Sequence, residues 1–201
     1  MAKKAYHHGD LRNALLAAAE QLLEKKGVAA VTLREVAKKA GVSHTAPYRH
    51  FEDKQALLSA LAQIGYQRLA DAMLQCIAEA NDNPREQLRL ASLAYVRLAT
   101  SHPQMTYLMF GGVLKPFDTE PALQKIAQRA FEGLLQIIRN GQMEGLYKEK
   151  DTQSLAMAVW SQMHGLSMLM TGKHLGELSE TEQEHIASDM VQLLFNGLKS
   201  D

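Results

Sequence analysis

From Leu11 to Leu198, apolar residues recur at three- and four-residue steps, and no stretch sustains the period-two alternation of a half-buried strand. A chain patterned this way buries its apolar residues by packing helix against helix. With 201 residues, 46% apolar and 22% charged, it is long enough for one compact domain or two small ones. An all-α fold is the expectation.

Caps and breakers divide the pattern. A first helix is expected over residues 10–26, with Leu11, Leu15, Ala18 and Leu22 on one face, Lys25 and Lys26 where the macrodipole favours cations, and Gly27 to end it. The second begins at Leu33, because Thr32 and Glu35 have capping-box spacing and Val31 and Val36 flank them as a hydrophobic staple. Gly41 stops it in a left-handed cap, and Ser43 offers an N-cap for a third short helix. Two short helices joined by a glycine turn make a helix-turn-helix. A longer fourth helix, capped near Asp53, runs to the breakers at 81–84 and links two modules. Then come a fifth helix from Pro84, a break at 101–103 where His102 is an N-cap or loop residue, a sixth helix, a loop over 111–121, and a seventh helix over 121–144. The last two helices cover 152–171 and 180–198, the second announced by Ser179 and Glu182.

Charge is unevenly placed. The net charge is zero, yet residues 1–54 carry ten Lys/Arg against six Asp/Glu and residues 55–201 carry twelve against sixteen. A basic module joined to an acidic one is the implied arrangement. The single cysteine, Cys76, excludes an intrachain disulfide, no apolar run reaches membrane-spanning length, and the start MAKKAYHHGDLR lacks the apolar region of a signal peptide. A cytoplasmic protein without membrane partners is expected.

The stretch GVSHTAPYRHFEDK, residues 41–54, concentrates reactive side chains. His44 and His50 are six apart, on different faces of any helix, with no cysteine nearby, so they do not make a zinc pair. Ser43 with His44 lacks an orienting carboxylate and an oxyanion cradle. No acid, base and nucleophile stand at usable spacing, so neither an enzyme nor a metal or other cofactor is expected. A DNA-reading element accounts for the composition better: small and polar side chains face base edges while cations and hydroxyls flank them for the phosphates. Thr45 and Ala46 suit a thymine methyl, His44 a base or phosphate, and Tyr48 and Lys54 the phosphates. Thr32, Arg34, Ser43, Arg49 and His50 complete the candidate DNA contacts.

The segment VTLREVAKKAGVSHTAPYRHFEDKQALLSAL resembles the DNA-binding domain of the TetR family of bacterial transcriptional regulators, a resemblance that covers residues 9–69. It implies a three-helix head in which Tyr48 belongs to the short recognition helix, Phe51 packs in the core, and Lys54 opens the next helix beside the phosphate backbone. One position departs from the commonest form: Pro47 stands where the family more often has leucine or another apolar residue. Proline removes an N–H and biases Ala46 away from helical angles, so the third helix is expected to start about one turn later or with 3₁₀ geometry. A sub-branch with YHHGDLR at the start and APYRHF here is also similar to this sequence.

Residues 70–201 are then the effector-binding and dimerisation domain. WSQMHG, residues 160–165, resembles the Trp-x-x-x-His-Gly signature of one C-terminal class. Trp160 and His164, one turn apart, either stack in the core or serve a ligand or dimer contact. Tyr66, Tyr95, Met105, Tyr107, Met109, Phe110, Trp160 and His164 are the candidate lining of a cavity among the fourth to seventh helices, suited to an apolar or aromatic molecule with His164 as polar handle. Leu155, Val159, Gln162 and Leu166 form one stripe and Ile186, Met190, Leu193 and Leu194 another, expected to pair across a two-fold as a four-helix bundle. The expected function is a homodimeric repressor on a palindromic double-stranded operator, released by a small ligand. The alternative is a TetR-like DNA-binding protein without small ligand, controlled by a protein partner or acting architecturally.

Overall fold

The computed structural model describes residues 8–115 and 120–198, with side chains from Leu11 onward. The first seven residues, which include the start of the YHHGDLR signature, and residues 116–119 of the expected loop lie outside the described residues. Among the described residues there are eight α-helices and no strand: α1 (His8–Lys26), α2 (Leu33–Ala40), α3 (Lys54–Glu79), α4 (Pro84–Ser101), α5 (Pro103–Phe110), α6 (Pro121–Met143), α7 (Thr152–Thr171) and α8 (Glu180–Leu198). Single 3₁₀ turns occupy Val28–Ala30 and Pro47–Arg49.

Local chemistry accounts for the ends of these helices. Thr32 Oγ1 accepts the Glu35 N–H at 3.2 Å and starts α2. Gly41, at φ 70° and ψ 31°, ends it: the Gly41 N–H donates to the Lys38 carbonyl at 3.3 Å and the Val42 N–H to the Ala37 carbonyl at 3.0 Å. These are the two bonds of a Schellman cap, and glycine takes the left-handed position without strain. Asp53 Oδ1 accepts the Ala56 N–H at 2.7 Å to start α3. At α8 the capping box is reciprocal, with the Ser179 N–H on Glu182 Oε2 at 2.8 Å and the Glu182 N–H on Ser179 Oγ at 3.3 Å.

The chain forms two compact units, residues 8–65 with 102–124 and residues 66–101 with 125–198. In the first, α1 packs on α2 and on α5 around Leu15, Ala19, Leu23, Val31, Val36, Ala37 and Phe51, all buried. His102 precedes α5 without a side-chain capping bond. Glu24 of α1 caps α5 instead, its carboxylate accepting the Met105 N–H at 3.0 Å and the Gln104 N–H at 3.4 Å. A carboxylate satisfies orphan donors and complements the positive end of the helix dipole, which a neutral imidazole does less well.

In the second unit α4 packs on both α7 and α8, and its buried residues Leu88, Ala91, Ser92, Tyr95, Val96 and Ala99 recur at helical spacing. Tyr147 is fully buried, donates its hydroxyl to the Pro84 carbonyl at 2.9 Å, and lies over Gly141, where any Cβ would overlap the ring. The stripe expected at a dimer interface turns inward: Leu155, Val159 and Leu166 are buried within the protomer, and Gln162 Nε2 donates to the Met190 carbonyl at 3.3 Å. Of the α8 stripe, Leu194 is buried, Ile186 and Met190 are half-buried, and Leu193 is 63% exposed. The exposed residues of α7 are Gln153, Ser154, Met157, Ala158, Ser161, Gly165 and Leu169. A helix that is apolar around most of its circumference gives several stripes, and the protomer core takes the strongest.

Candidate nucleic-acid interface and effector cavity

The helix-turn-helix is built from α2, the Gly41 turn and a second element shorter than an α-helix. Pro47–Arg49 makes one 3₁₀ turn, with the Pro47 carbonyl accepting both the His50 and the Phe51 N–H at 2.9 Å. Ser43 does not cap it: Ser43 Oγ pairs with Thr45 Oγ1 at 3.2 Å, and the turn starts after Ala46. Nor is Ala46 displaced from helical angles. It sits at φ −62° and ψ −43°, held by the bond from its N–H to the Ser43 carbonyl at 3.0 Å and from the Arg49 N–H to its own carbonyl at 3.2 Å. The pre-proline penalty disfavours this region, and two turn bonds outweigh it.

Burying Pro47 and Phe51 fixes the turn against α2 and leaves its polar side chains outside. Ser43, His44, Thr45, Tyr48 and Arg49 are exposed, Tyr48 by 61%. Ala46 and Lys54 are half-buried, as is Thr32 with its hydroxyl on the α2 cap, and Arg34 is exposed in the first turn of α2. His50 is half-buried, and its Nε2 is closed off from solvent without a partner. The Arg12 guanidinium lies 5.5 Å over the Phe51 ring, which braces α1 against the turn. Hydroxyls, an imidazole and cations thus project from one short rigid segment. Such a surface can take up phosphates and base edges.

The second unit holds a cavity of about 30 Å³ lined by Met73, Ala91, Ser92, Tyr95, Leu134, Val159, Trp160 and Met163. Beside it stands a hydrogen-bonded trio: Tyr95 Oη lies 2.8 Å from His164 Nδ1, and Trp160 Nε1 donates to Tyr95 Oη at 3.3 Å. Burial pushes the Tyr95 phenol up to about 12, with the Trp160 N–H acting in the opposite sense, and burial lowers His164 below its ordinary range. At neutral pH the phenol therefore keeps its proton and the imidazole is neutral, so the pair is joined by one proton, carried either by the Tyr95 hydroxyl or by Nδ1. The Trp160 and His164 rings are 5.9 Å apart at 44°, and Phe131 stands edge-on to Trp160 at 6.2 Å. Stacking and polar pairing thus coexist at these two residues.

Of the candidate lining residues, Tyr95 and Trp160 reach the cavity and His164 stands behind Tyr95. Tyr66 is buried on α3, where burial, with Tyr95 nearby, pushes its phenol far above the usual range. Met105, Tyr107, Met109 and Phe110 are on α5 in the first unit, where Met105 and Met109 pack against Gly65 and Tyr107 is 53% exposed. Aromatic and methionine content pointed to α5, whereas the cavity takes its methionines and aromatics, Met73, Tyr95, Trp160 and Met163, from α3, α4 and α7, beside Ala91, Ser92, Leu134 and Val159. Ser92 was missed, although a serine within the apolar stripe of α4 was a visible signal. Among the described residues no three His, Cys, Asp or Glu side chains gather to hold a metal ion, and no helix is long and apolar enough to cross a membrane.

Residues 15–61 match the family profile of bacterial regulatory proteins, tetR family, and residues 88–194 match that of the tetracyclin repressor-like C-terminal domain. A solved structure of a protein with unknown function from Rhodococcus sp. RHA1 superposes with a TM-score of 0.87 at 32% identity, covering 98% of this chain and 100% of that one. The nucleoid occlusion factor SlmA of Vibrio cholerae serotype O1 is 29% identical over 155 residues, 75% of this chain and 78% of that protein. The HTH-type transcriptional regulator BetI of Stenotrophomonas maltophilia is 37% identical over 78 residues, 39% of this chain and 40% of that protein.

Proposed function

Since the chain belongs to the tetR family of bacterial regulatory proteins and is a DNA-binding regulator of transcription, we propose that it is a cytoplasmic, homodimeric repressor, not an enzyme, released from a palindromic operator by a small uncharged effector. Ser43, His44, Thr45, Ala46, Tyr48 and Arg49 face the DNA, with Arg34 and Lys54 beside the phosphates. The dimer forms through the outward faces of α7 and α8, where Leu169 and Leu193 stay exposed and Gly165 and Gly197 leave open space. The WSQMHG segment supports an effector-bearing C-terminal class, because Trp160 lines the cavity and is joined through the Tyr95 hydroxyl to His164.

The observation that carries the effector reading is the Tyr95–His164–Trp160 trio standing at an otherwise apolar cavity. At about 30 Å³ the cavity must widen to admit an organic molecule. Met73 and Met163, flexible side chains in its wall, are the parts that yield most cheaply. Met73 shares α3 with Lys54, about five turns away. A ligand that prefers the form with displaced heads by about 1.4 kcal/mol lowers operator affinity tenfold. The test is operator binding titrated against uncharged aromatic compounds that raise the melting temperature. Loss of operator affinity is expected for a compound that binds at Trp160, and retention of full affinity at saturation contradicts the reading.

The cavity's small size favours a second reading, a DNA-binding protein that answers to a protein partner and not to a small molecule. SlmA, similar along 75% of this chain, is a nucleoid occlusion factor. Under this reading no small molecule alters operator affinity, and a variant with Trp160 and His164 both replaced by Leu keeps its regulation.

A further inference from the structure

The cavity contains one polar group that the protein leaves unused. Ser92 sits in the middle of α4, 3% exposed, and its Oγ has no hydrogen-bond partner. Four other helical hydroxyls turn back on the preceding turn: Ser167 donates to the Met163 carbonyl at 2.8 Å, Thr106 to His102 at 3.1 Å, Thr100 to Val96 at 3.0 Å and Thr171 to Ser167 at 2.9 Å. The same outlet, the Leu88 carbonyl, lies four residues before Ser92, yet the hydroxyl does not use it. An unpaired buried hydroxyl destabilises a fold, and a native one calls for an explanation outside the protein. Ser92 lines the cavity together with Tyr95 and Trp160.

From this we infer that Ser92 is the hydrogen-bonding contact of the effector, which is an uncharged molecule bearing one hydroxyl or carbonyl on a ring-sized apolar body. The inference rests on the effector reading of the cavity and names the ligand class for it. A serine hydroxyl donates and accepts, so it serves an alcohol or a carbonyl equally. The rest of the wall sets the body: Met73, Ala91, Leu134, Val159 and Met163 offer only apolar contact. No lining residue carries a formal charge, so a carboxylate or an ammonium would be desolvated there without a counter-ion. A lone water fits the volume but meets too few partners, because it needs two to four polar groups and the Tyr95 hydroxyl is already engaged by His164 and Trp160.

Trp160 is the chain's single tryptophan and lines the cavity, so its fluorescence reports occupancy directly. Benzyl alcohol and toluene are titrated against the full-length protein and against Ser92→Ala, with benzoate and benzylamine as charged counterparts. Expected is saturable perturbation of Trp160 by benzyl alcohol about tenfold tighter than by toluene, with the charged pair silent. In Ser92→Ala the toluene affinity stays and the benzyl alcohol advantage disappears. The probe-free variant also melts at a higher temperature, because an unpaired buried hydroxyl has been removed. If both probes bind but the variant weakens them alike, or benzyl alcohol has no advantage in the parent, or the variant melts lower, the role of Ser92 is overturned while the effector cavity stands. If no probe reaches Trp160 in the parent or the variant, both fall together.

Discussion

At the residue scale Pro47 and Tyr48 show how one short turn sorts its side chains. The proline ring goes into the core of the head, and the next side chain goes out, 61% exposed. Sorting of this kind assigns different work to neighbouring residues. Lys54→Ala, which removes the proposed phosphate contact, is expected to weaken every duplex alike and to lower the slope of log affinity against log salt by about 1. Thr45→Val removes a hydroxyl near the bases and should change sequence preference with the salt slope intact; equal, sequence-independent losses for both variants would contradict the assignment. His164 supplies a second prediction. Burial holds its folded pKa below the ordinary value of 6.5, so in the window just below 6.5 the unfolded chain binds more protons. Stability therefore rises with pH through that window and is lost as pH falls through it. Melting curves of His164→Gln should lose this acid limb relative to the parent, and parallel curves for the two proteins would refute it.

Among the elements, starts and stops were legible and faces were not. Thr32, Gly41, Asp53 and the Ser179–Glu182 pair act on backbone groups within a few residues, so their effect is written locally. The capping of α5 by Glu24 is not, since the carboxylate comes from 80 residues earlier in the chain. Which stripe of α7 meets the core also depends on α4 and α8, and the spacing of Leu155, Val159 and Leu166 along one helix fits a core face as well as a dimer face. The cavity was half legible: the Trp160–His164 spacing pointed to it, whereas Met73, Ser92 and Leu134 come together only by long-range packing. The outward faces of α7 and α8 carry a prediction of their own. On a solvent face Leu193→Glu is nearly neutral and Gly165→Ala stabilises by up to about 1 kcal/mol. In a dimer interface the first buries a charge and the second pries helices apart. Sedimentation should show both variants shifted towards monomer with helicity retained; unchanged association, with a higher melting temperature for Gly165→Ala, would place the interface elsewhere.

For the whole molecule, residues 1–54 are net basic and residues 55–201 net acidic, and the two family matches cover residues 15–61 and 88–194. One head with a single 3₁₀ turn offers few base contacts, so useful affinity at physiological salt needs two heads on one duplex. Genomic fragments are to be selected for binding to the full-length protein at about 150 mM salt, and the recovered duplexes titrated with stoichiometry measured. The account predicts an inverted repeat whose half-site centres are spaced by about 10 base pairs or a multiple of it, bound by two chains or a multiple of two and preferred over a scrambled duplex by at least about a thousandfold. Recovery of sites without two-fold symmetry, or equal affinity for recovered and scrambled duplexes at that salt, would contradict it.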